Sequence, residues 1–215
     1  MRPYVKVTEE FVQQRLGAET TGHDHHHVFR VRDLALRICR EERAEPLVTE
    51  LGALLHDIDD FKFSGNVLSG GRLARSWLEQ CRAPPQITEY VGLIVDGVSF
   101  KGANVEQEPL SLEGMCVQDA DRLDAIGMVG VARACAYGGA NNRPLYVPGE
   151  KPVLHASAEE YLAAKGSTIN HFFEKLLLLK DRMNTATGKR IAEGRHKDLI
   201  HFLDRFIEQW YGRDA

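Results

Sequence analysis

Histidines and aspartates are concentrated in three short stretches of the chain. These stretches are DHHHV at residues 24–28, LLHDID at residues 54–59 and QDADRLDA at residues 118–125. Imidazole nitrogens and carboxylate oxygens are common ligands of divalent cations. The three stretches therefore raise the hypothesis of a metal site built from separate parts of the chain.

The His-Asp pair also has an interpretation that involves no metal. Adjacent helical residues point about 100° apart, so His56 and Asp57 reach one ion only at the edge of the core, where another helix supplies ligands. A His-Asp dipeptide taken alone is more often a helix end with ordinary hydrogen bonds. The aspartates of QDADRLDA are more informative, because they lie in an apolar segment where an unpaired buried charge is costly.

Hydrophobic residues follow a helical period along most of the chain, and alternating strand patterns are scarce, so the sequence predicts an all-α fold. The clearest helix covers residues 24–43, with Asp24 placed to cap its start. Other helices are predicted at residues 8–17, 47 to about 56, 72–81, 86–95, 111 to about 137, 169–183 and 196–212.

Periodicity disappears between Gly138 and Ala156, which indicates a long loop. Loops of this length in a compact domain are usually functional or mobile, so this one is a candidate lid. The residues Ser157 to Glu160 then form a capping-box signature that opens the C-terminal helices. We expect one domain over residues 1–215, with a metal-binding core at about 20–137, the loop at 138–156 and a C-terminal helical region at 157–212.

Composition excludes several classes of protein. The net charge of -4 predicts no broad nucleic-acid surface, and no apolar run reaches the length of a membrane helix, roughly 18 residues. The N-terminus lacks the apolar run of a signal peptide, so a cytoplasmic location is expected. The cysteines lack a CxxC pair and are interpreted as reduced core residues; they are Cys39, Cys81, Cys116 and Cys135.

The ordered set of motifs resembles the HD-domain metal-dependent phosphohydrolases, in particular the small stand-alone bacterial hydrolases of the nucleoside triphosphate pyrophosphohydrolase type. The matching elements are DHHHVFRV, LLHDIDDFKF, SFKG, QDADRLDAIG, YGG with RPLY, and HFFEKLLLLKDRMNTATGKRIAEGRH. They cover nearly the whole chain and are more specific together than the HD dipeptide. The resemblance implies a single-domain HD helical bundle in which a His, a His-Asp pair and a distant Asp hold one divalent cation.

Carried over by position, the resemblance assigns the metal ligands to His27, His56, Asp57 and Asp121. Helical periodicity agrees for the first ligand, because His27 lies on the core-facing stripe with Val31. The neighbouring His25 and His26 are interpreted as solvated or supporting residues.

A ligand set of two imidazoles and two carboxylates suits manganese best, with Mg, Co, Ni, Fe or Zn as alternatives. Such a cation activates water for attack on phosphorus. Superfamily members with two metals typically carry another His pair on the following helix, where this chain has Asp96 and Gly97. One metal is therefore expected, and with it a triphosphate hydrolase rather than a cyclic-nucleotide phosphodiesterase.

Cations must neutralise the substrate phosphates. Lys175 and His171 are candidates for substrate binding, because they share a predicted helix face in an apolar run. The candidate catalytic residues are Asp60 and Asp124, as general acids or bases, and Lys175. Asp124 has an alternative role in holding a ligand histidine. Further candidates for substrate binding, with surface charge or loop packing as the alternative, are Arg30, Lys62, Lys101, Arg122, Arg143 and Tyr146.

The expected function is hydrolysis of a nucleoside or deoxynucleoside triphosphate to the monophosphate and pyrophosphate by metal-activated water. One alternative is a nucleotide monophosphatase or triphosphohydrolase with the same metal site. Another is a non-catalytic HD domain that binds nucleotide or a protein partner. The expected substrate is a small-molecule phosphate, with no nucleic-acid or membrane partner, and the sequence leaves monomer and homodimer open.

Overall fold

A computed structural model describes residues 3–17, 24–58, 71–98, 109–153 and 166–214. Within these ranges the secondary structure consists of nine α-helices and one 3₁₀ helix, with no strand, so the all-α prediction is confirmed. The α-helices are α1 Pro3–Leu16, α2 His25–Glu42, α3 Pro46–Leu55, α4 Arg72–Gln80, α5 Pro85–Val98, α6 Leu112–Asp124, α7 Gly127–Ala140, α8 Thr168–Glu174 and α9 Ala186–Trp210. The 3₁₀ helix, Leu176–Arg182, lies between α8 and α9.

The chain divides into two compact units. The first contains residues 1–100 and 107–121, and the second contains residues 101–106 and 122–215. The assignment of residues 1–215 to one domain with a core at 20–137 stays a prediction. No helix in the described ranges has the length and apolar character needed to cross a membrane.

The first unit is organised around α3, which packs against α1, α2 and α5. Its side chains Leu51, Leu54 and Leu55 are fully buried, and the apolar stripe of α2 is buried as the periodicity predicted. Burial on this scale supplies most of the stability of such a helix, because removal of apolar surface from water is the main driving force of folding. The C-terminal end of α3 therefore lies in the core of the unit.

The first helix is longer than predicted. Thr8 was expected to begin it, but α1 starts at Pro3 and Thr8 lies fully buried within it. The Thr8 hydroxyl donates to the Tyr4 carbonyl oxygen at 2.6 Å and accepts from the Trp77 indole at 2.9 Å. It therefore joins α1 to α4 instead of capping a helix.

The second unit contains α7, α8, the 3₁₀ helix and α9, and α9 packs against α7 and the 3₁₀ helix. Its aromatic side chains form a row in which neighbouring ring centroids are 5.5–5.9 Å apart. The row consists of Phe172, Phe202, Phe206 and Trp210. Most of this aromatic surface is thus used within the unit.

Two predicted helices are interrupted, and each break has a local cause. The expected helix from 111 to about 137 ends at Asp124 because Ile126 is extended and Gly127 has a φ of 75°, a conformation that favours glycine. The expected helix 169–183 breaks at Lys175, whose φ and ψ of -138° and -58° are not helical. Leu178 N–H then bonds to the Lys175 carbonyl oxygen at 3.0 Å, the spacing of a 3₁₀ turn.

Several helix ends agree with the sequence. Asp24 caps α2 as predicted, and the Ser111 hydroxyl accepts from the Gly114 N–H at 3.1 Å at the start of α6. Thr185 caps α9 in the predicted turn between the C-terminal helices. The capping box at Ser157 to Glu160 lies outside the described residues.

The cysteines are all free thiols. Cys39 and Cys116 are buried as predicted, whereas Cys81 and Cys135 are half-buried. Burial raises the pKa of Cys116 to about 12, so this thiol stays protonated at neutral pH. This protonation makes Cys116 an unreactive packing residue.

Candidate metal centre

The first turn of α2 places one of its three histidines in the protein interior. The Asp24 carboxylate accepts from the His27 backbone N–H at 2.8 Å, which fixes His27 as the third residue of the helix. The His27 side chain is fully buried. His26 is exposed, and its ring packs against the half-buried His25 at a centroid distance of 4.0 Å. The helix start therefore separates His27 from its neighbours.

His56 and Asp57 lie at the C-terminal end of α3. The His56 Nδ1 atom is 2.7 Å from the Ala53 carbonyl oxygen, which can only accept a hydrogen bond. Nδ1 therefore carries the hydrogen in the neutral ring, and Nε2 carries a lone pair. The buried Nε2 atom has no hydrogen-bond partner among the residues that the structure describes. A cation would satisfy it.

The ligand atoms of the two histidines face two carboxylates. His27 Nε2 is 3.4 Å from Asp57 Oδ2 and 3.5 Å from Asp121 Oδ1. His56 Nε2 is 4.0 Å from Asp57 Oδ1 and 3.8 Å from Asp121 Oδ1. His27, His56 and Asp57 can each direct a ligand atom to one point, with all these atoms within 4.8 Å of one another. The structure thus brings together the four residues that the motifs suggested.

These separations fit a cation better than direct hydrogen bonds. Ligand atoms about 2.1 Å from an ion lie roughly 3.0–3.4 Å apart at tetrahedral or cis octahedral angles, and up to about 4.2 Å apart at wider angles. Strong N–H···O hydrogen bonds have shorter separations, about 2.9 Å. The cluster also combines burial with access, because the His27 side chain is fully buried while Asp121 is 32% exposed. This His/His/Asp cluster can hold a metal ion, with Asp121 at its open side.

The three aspartates of QDADRLDA have different surroundings. Asp121 faces the histidines, Asp119 is fully buried, and Asp124 accepts from the Arg133 guanidinium at 2.9 Å. Asp124 does not hold the second ring nitrogen of His56, and such a role for Asp124 at His27 stays a prediction. At His56 a backbone carbonyl performs that role, and sequence patterns do not reveal such a contact.

Asp96 and Gly97 stand where the sequence analysis looked for a further His pair, and Asp96 has other partners here. Asp96 accepts from the Arg75 guanidinium at 2.8 Å and from the Gly71 N–H at 2.5 Å. Arg75 also forms two hydrogen bonds to Glu89, at 2.9 and 3.0 Å. Hydrogen bonding to Glu89 raises the pKa of Arg75, so its charge is permanent. Asp96 is therefore part of a surface ion-pair network between α4 and α5.

The predicted phosphate-binding cations near the ligands are only partly described. Arg30 is half-buried on α2, and Arg122 is buried and donates to the Arg182 carbonyl oxygen. The remaining cations of this group, Lys62 and Lys101, lie outside the described residues, as does the candidate general acid or base Asp60. One donor of Arg122 thus has a structural partner, and contact of any of these residues with phosphate stays a prediction.

The candidates from the long loop pack within the second unit. The Arg143 guanidinium lies 5.5 Å from the centroid of the Tyr137 ring. Tyr146 packs edge-on against Phe206 and Trp210 at 5.9 and 5.1 Å. Loop packing therefore explains both side chains without a substrate.

The beginning of the loop is also fixed by backbone hydrogen bonds. The N–H groups of Thr168 and Ile169 donate to the carbonyls of Pro144 and Leu145 at 2.8 and 3.0 Å. The Glu150 carboxylate accepts from the Ser167 hydroxyl. Residues 144–150 are thus attached to the start of α8, and the lid role stays a prediction for the loop.

Lys175 and His171 do not share one continuous helical face with Leu178 as predicted. Lys175 caps α8, and its backbone N–H bonds to the His171 carbonyl oxygen at 3.0 Å. The chain then turns into the 3₁₀ helix, where the period is three residues. Both side chains are half-buried in the second unit, and their roles stay predictions.

Glu113 was missed by the sequence reasoning. Its carboxylate accepts from the Glu45 N–H at 2.9 Å and from the Tyr90 hydroxyl at 2.5 Å. A glutamate in the first turn of an apolar helix was the available signal, but first-turn acidic residues are common because they favour the helix dipole.

Comparison with known proteins agrees with this fold. The model of the HD domain family matches residues 25–126, a range that contains His27, His56, Asp57 and Asp121. YpgQ of Bacillus subtilis is 39% identical over 206 residues, which cover 95% of this chain and 93% of that protein. The chain belongs to the HD-domain phosphohydrolase superfamily.

Solved structures extend the similarity over both units. A Lactobacillus plantarum protein has a TM-score of 0.87 and 34% identity, with 97% of each chain covered. A Bacillus thuringiensis HD-superfamily hydrolase has a TM-score of 0.74 and 34% identity, with 96% of each chain covered. The B. subtilis YpgQ complex with ADP has a TM-score of 0.77 and 32% structure-aligned identity, covering 98% of this chain and 100% of YpgQ.

Proposed function

We propose that this protein is a metal-dependent phosphohydrolase that converts a nucleoside or deoxynucleoside triphosphate to the monophosphate and pyrophosphate. The observation that carries the proposal is the cluster of two histidines and two aspartates, with nitrogen-to-oxygen separations of 3.4–4.0 Å. The ADP complex of YpgQ supports a nucleotide ligand. The B. thuringiensis relative, an HD-superfamily hydrolase, supports hydrolysis.

Four side chains would hold one divalent cation, with manganese as our first choice. His27 and His56 supply neutral nitrogens, and Asp57 and Asp121 supply two negative charges that balance the cation. When bound, such a cation lowers the pKa of water and withdraws charge from a phosphoryl oxygen. The partly exposed Asp121 marks the side from which the substrate enters.

Other residues would bind the substrate and move protons. We assign phosphate neutralisation to Arg30, Lys62 and Arg122, because they lie on or near the stretches that carry the ligands, and to Lys101 of the SFKG motif. We keep Arg143, Tyr146, His171 and Lys175 as further substrate-binding candidates. Asp124 already pairs with Arg133, so we assign proton transfer to Asp60 before Asp124 and Lys175.

The test is a metal-reconstitution assay with product analysis. The purified protein is stripped of metal, and Mn, Mg, Co, Ni, Fe or Zn is restored singly before incubation with a panel of nucleotides. We expect Mn-dependent release of monophosphate and pyrophosphate. Asp57→Ala should be inactive, whereas His26→Ala should retain turnover because His26 is exposed.

The products distinguish this proposal from its alternatives. Inorganic phosphate indicates a monophosphatase, and intact triphosphate indicates a triphosphohydrolase with the same site. Metal binding without turnover of any phosphate ester or anhydride contradicts an enzyme and supports a non-catalytic HD domain. The metal series also tests manganese against the other cations.

A further inference from the structure

The buried side chain of Glu113 connects three helices of the first unit. Glu113 lies in the first turn of α6 and is 8% exposed. One carboxylate oxygen accepts from the Glu45 N–H on the N-terminal side of α3, and the other accepts from the Tyr90 hydroxyl on α5. A single carboxylate therefore fastens α6 to α3 and α5.

This attachment lies at the opposite ends of the helices from the metal ligands. Glu45 caps α3 through its own carboxylate, which accepts from the Val48 N–H at 2.7 Å, and His56 follows the last residue of α3. On α6, Glu113 precedes Asp121 by eight residues, about 12 Å of helix. The two ligand-bearing helices are thus joined at their starts by Glu113 and meet again at the cluster.

A second polar contact fixes α6 between these points. The Gln118 amide donates to the carbonyl oxygens of Gly97 and Val98 at 3.4 and 3.3 Å, at the end of α5. A shift of α6 by one residue would rotate Asp121 by about 100°. Such a rotation would turn the Asp121 carboxylate away from both histidines, so the attachment points of α6 determine whether the cluster forms.

Burial of a carboxylate is unfavourable unless other groups compensate, because an apolar side chain would fill the same space with a smaller loss of solvation free energy. Burial alone would raise the pKa of Glu113, but hydrogen bonds from the Glu45 N–H and the Tyr90 hydroxyl outweigh it and hold the pKa below its ordinary value. The carboxylate is therefore ionised at neutral pH. Its charge is compatible with the positive end of the α3 dipole.

We infer that Glu113 is a positioning residue for the metal centre, which fixes α6 so that Asp121 faces His27 and His56. The inference rests on the proposed function. Glu113 itself touches neither substrate nor metal. Its effect on the cation is therefore transmitted through the orientation of Asp121.

The experiment measures Mn²⁺ affinity of the metal-stripped full chain by calorimetry, at a temperature where circular dichroism shows each variant folded. The variants are Glu113→Ala, Glu113→Gln, Tyr90→Phe and the control Thr8→Val, which removes a buried hydrogen bond between α1 and α4. Glu113→Ala should lose about tenfold or more in affinity, the size of effect typical for residues that support metal ligands. Glu113→Gln and Tyr90→Phe retain part of the network and should lose less.

A double-mutant cycle separates positioning from general destabilisation. In an Asp121→Ala background, Glu113→Ala should cause no further loss of affinity, because the ligand that it positions is already gone. Equal affinity losses for Glu113→Ala and Thr8→Val, or the same Glu113→Ala loss in both backgrounds, would overturn the inference while leaving the proposed metal site intact. Failure of the wild type to bind Mn²⁺ would contradict the proposed function and overturn the inference with it.

Discussion

Two polar clusters of the first unit surround their carboxylates with different partners. In the candidate metal centre, Asp57 and Asp121 face histidine nitrogens at 3.4–4.0 Å. In the ion-pair network, Glu89 and Asp96 face the guanidinium of Arg75 at 2.8–3.0 Å. The ion-pair network contains a permanent cation, the Arg75 guanidinium, at hydrogen-bond distance from its carboxylates. The candidate metal centre instead contains imidazole rings, at distances from the carboxylates that suit an ion between them.

The difference teaches that acidic residues alone do not identify a metal site. The Arg75 network has the carboxylates but supplies its own positive charge, so it stabilises the helix pair α4 and α5. The His27 and His56 cluster has nitrogen ligands and a buried lone pair directed at its carboxylates. Substitutions that remove equivalent groups from the two clusters should therefore have opposite consequences for metal binding and for stability.

The largest expected effect comes from matched aspartate substitutions in the two clusters. Asp57→Ala should weaken Mn²⁺ binding by at least about 100-fold, because it removes a charged ligand. Asp96→Ala should leave Mn²⁺ affinity unchanged, because its carboxylate pairs with Arg75. Calorimetric titration of both metal-stripped variants checks this contrast. Equal losses would show that Asp96 belongs to the metal site.

The second prediction distinguishes the adjacent histidines of α2. His27→Ala should weaken Mn²⁺ binding by roughly 10–100-fold, less than the loss of a charged ligand, because water can replace a neutral one. His26→Ala should not change it, since that side chain is exposed. Metal content after dialysis, measured by atomic emission, checks the assignment. Retention of metal by His27→Ala and its loss from His26→Ala would place the ligand one residue earlier.

The third prediction concerns stability with metal. Mn²⁺ at about 100 times its Kd should stabilise the fold by about 2.7 kcal/mol, which corresponds to roughly 5–10 °C in Tm. Arg75→Met should lower the starting Tm and keep this increase, whereas Asp57→Ala should lose it. Thermal unfolding without and with Mn²⁺ measures both the starting Tm and its increase on metal binding. An increase of the same size in Asp57→Ala would indicate binding elsewhere.

The smallest expected effect is the pH dependence of the Arg75 network. The hydrogen bond from Arg75 lowers the pKa of Glu89 from its ordinary value of 4.5. The resulting stability is present above that value and is lost as the pH falls through the lower folded-state pKa. The Tm difference between wild type and Arg75→Met, on the order of 2 °C at pH 7, should therefore shrink towards pH 3. A constant difference would exclude the ion pair as its source.

Sequence patterns predicted the elements whose signals are local. The Asp24 cap and the apolar stripe of α2 were enough to place His27 inside, and the apolar run before His56 predicted the end of α3. The fold class followed from the helical period. The motifs also suggested all four members of the cluster, although the resemblance, more than the spacing, selected Asp121 among three nearby aspartates.

Features that depend on tertiary contacts were not predictable in the same way. The Ala53 carbonyl that orients His56 belongs to the backbone, and no residue type indicates it. Gly127 is a single glycine within an apolar helical pattern, so its positive φ and the break before it were missed. The partners of Glu113 and Asp96 come from other helices, and only their packing reveals them.

The most direct test of the central claim is a crystal structure of the protein with Mn²⁺ and an anomalous difference map measured near the manganese absorption edge. We predict one strong peak per chain, about 2.2 Å from His27 Nε2, His56 Nε2 and carboxylate oxygens of Asp57 and Asp121. A map with no peak between these four residues, or with its main peak at His25 and His26 or at Asp96, would contradict the account.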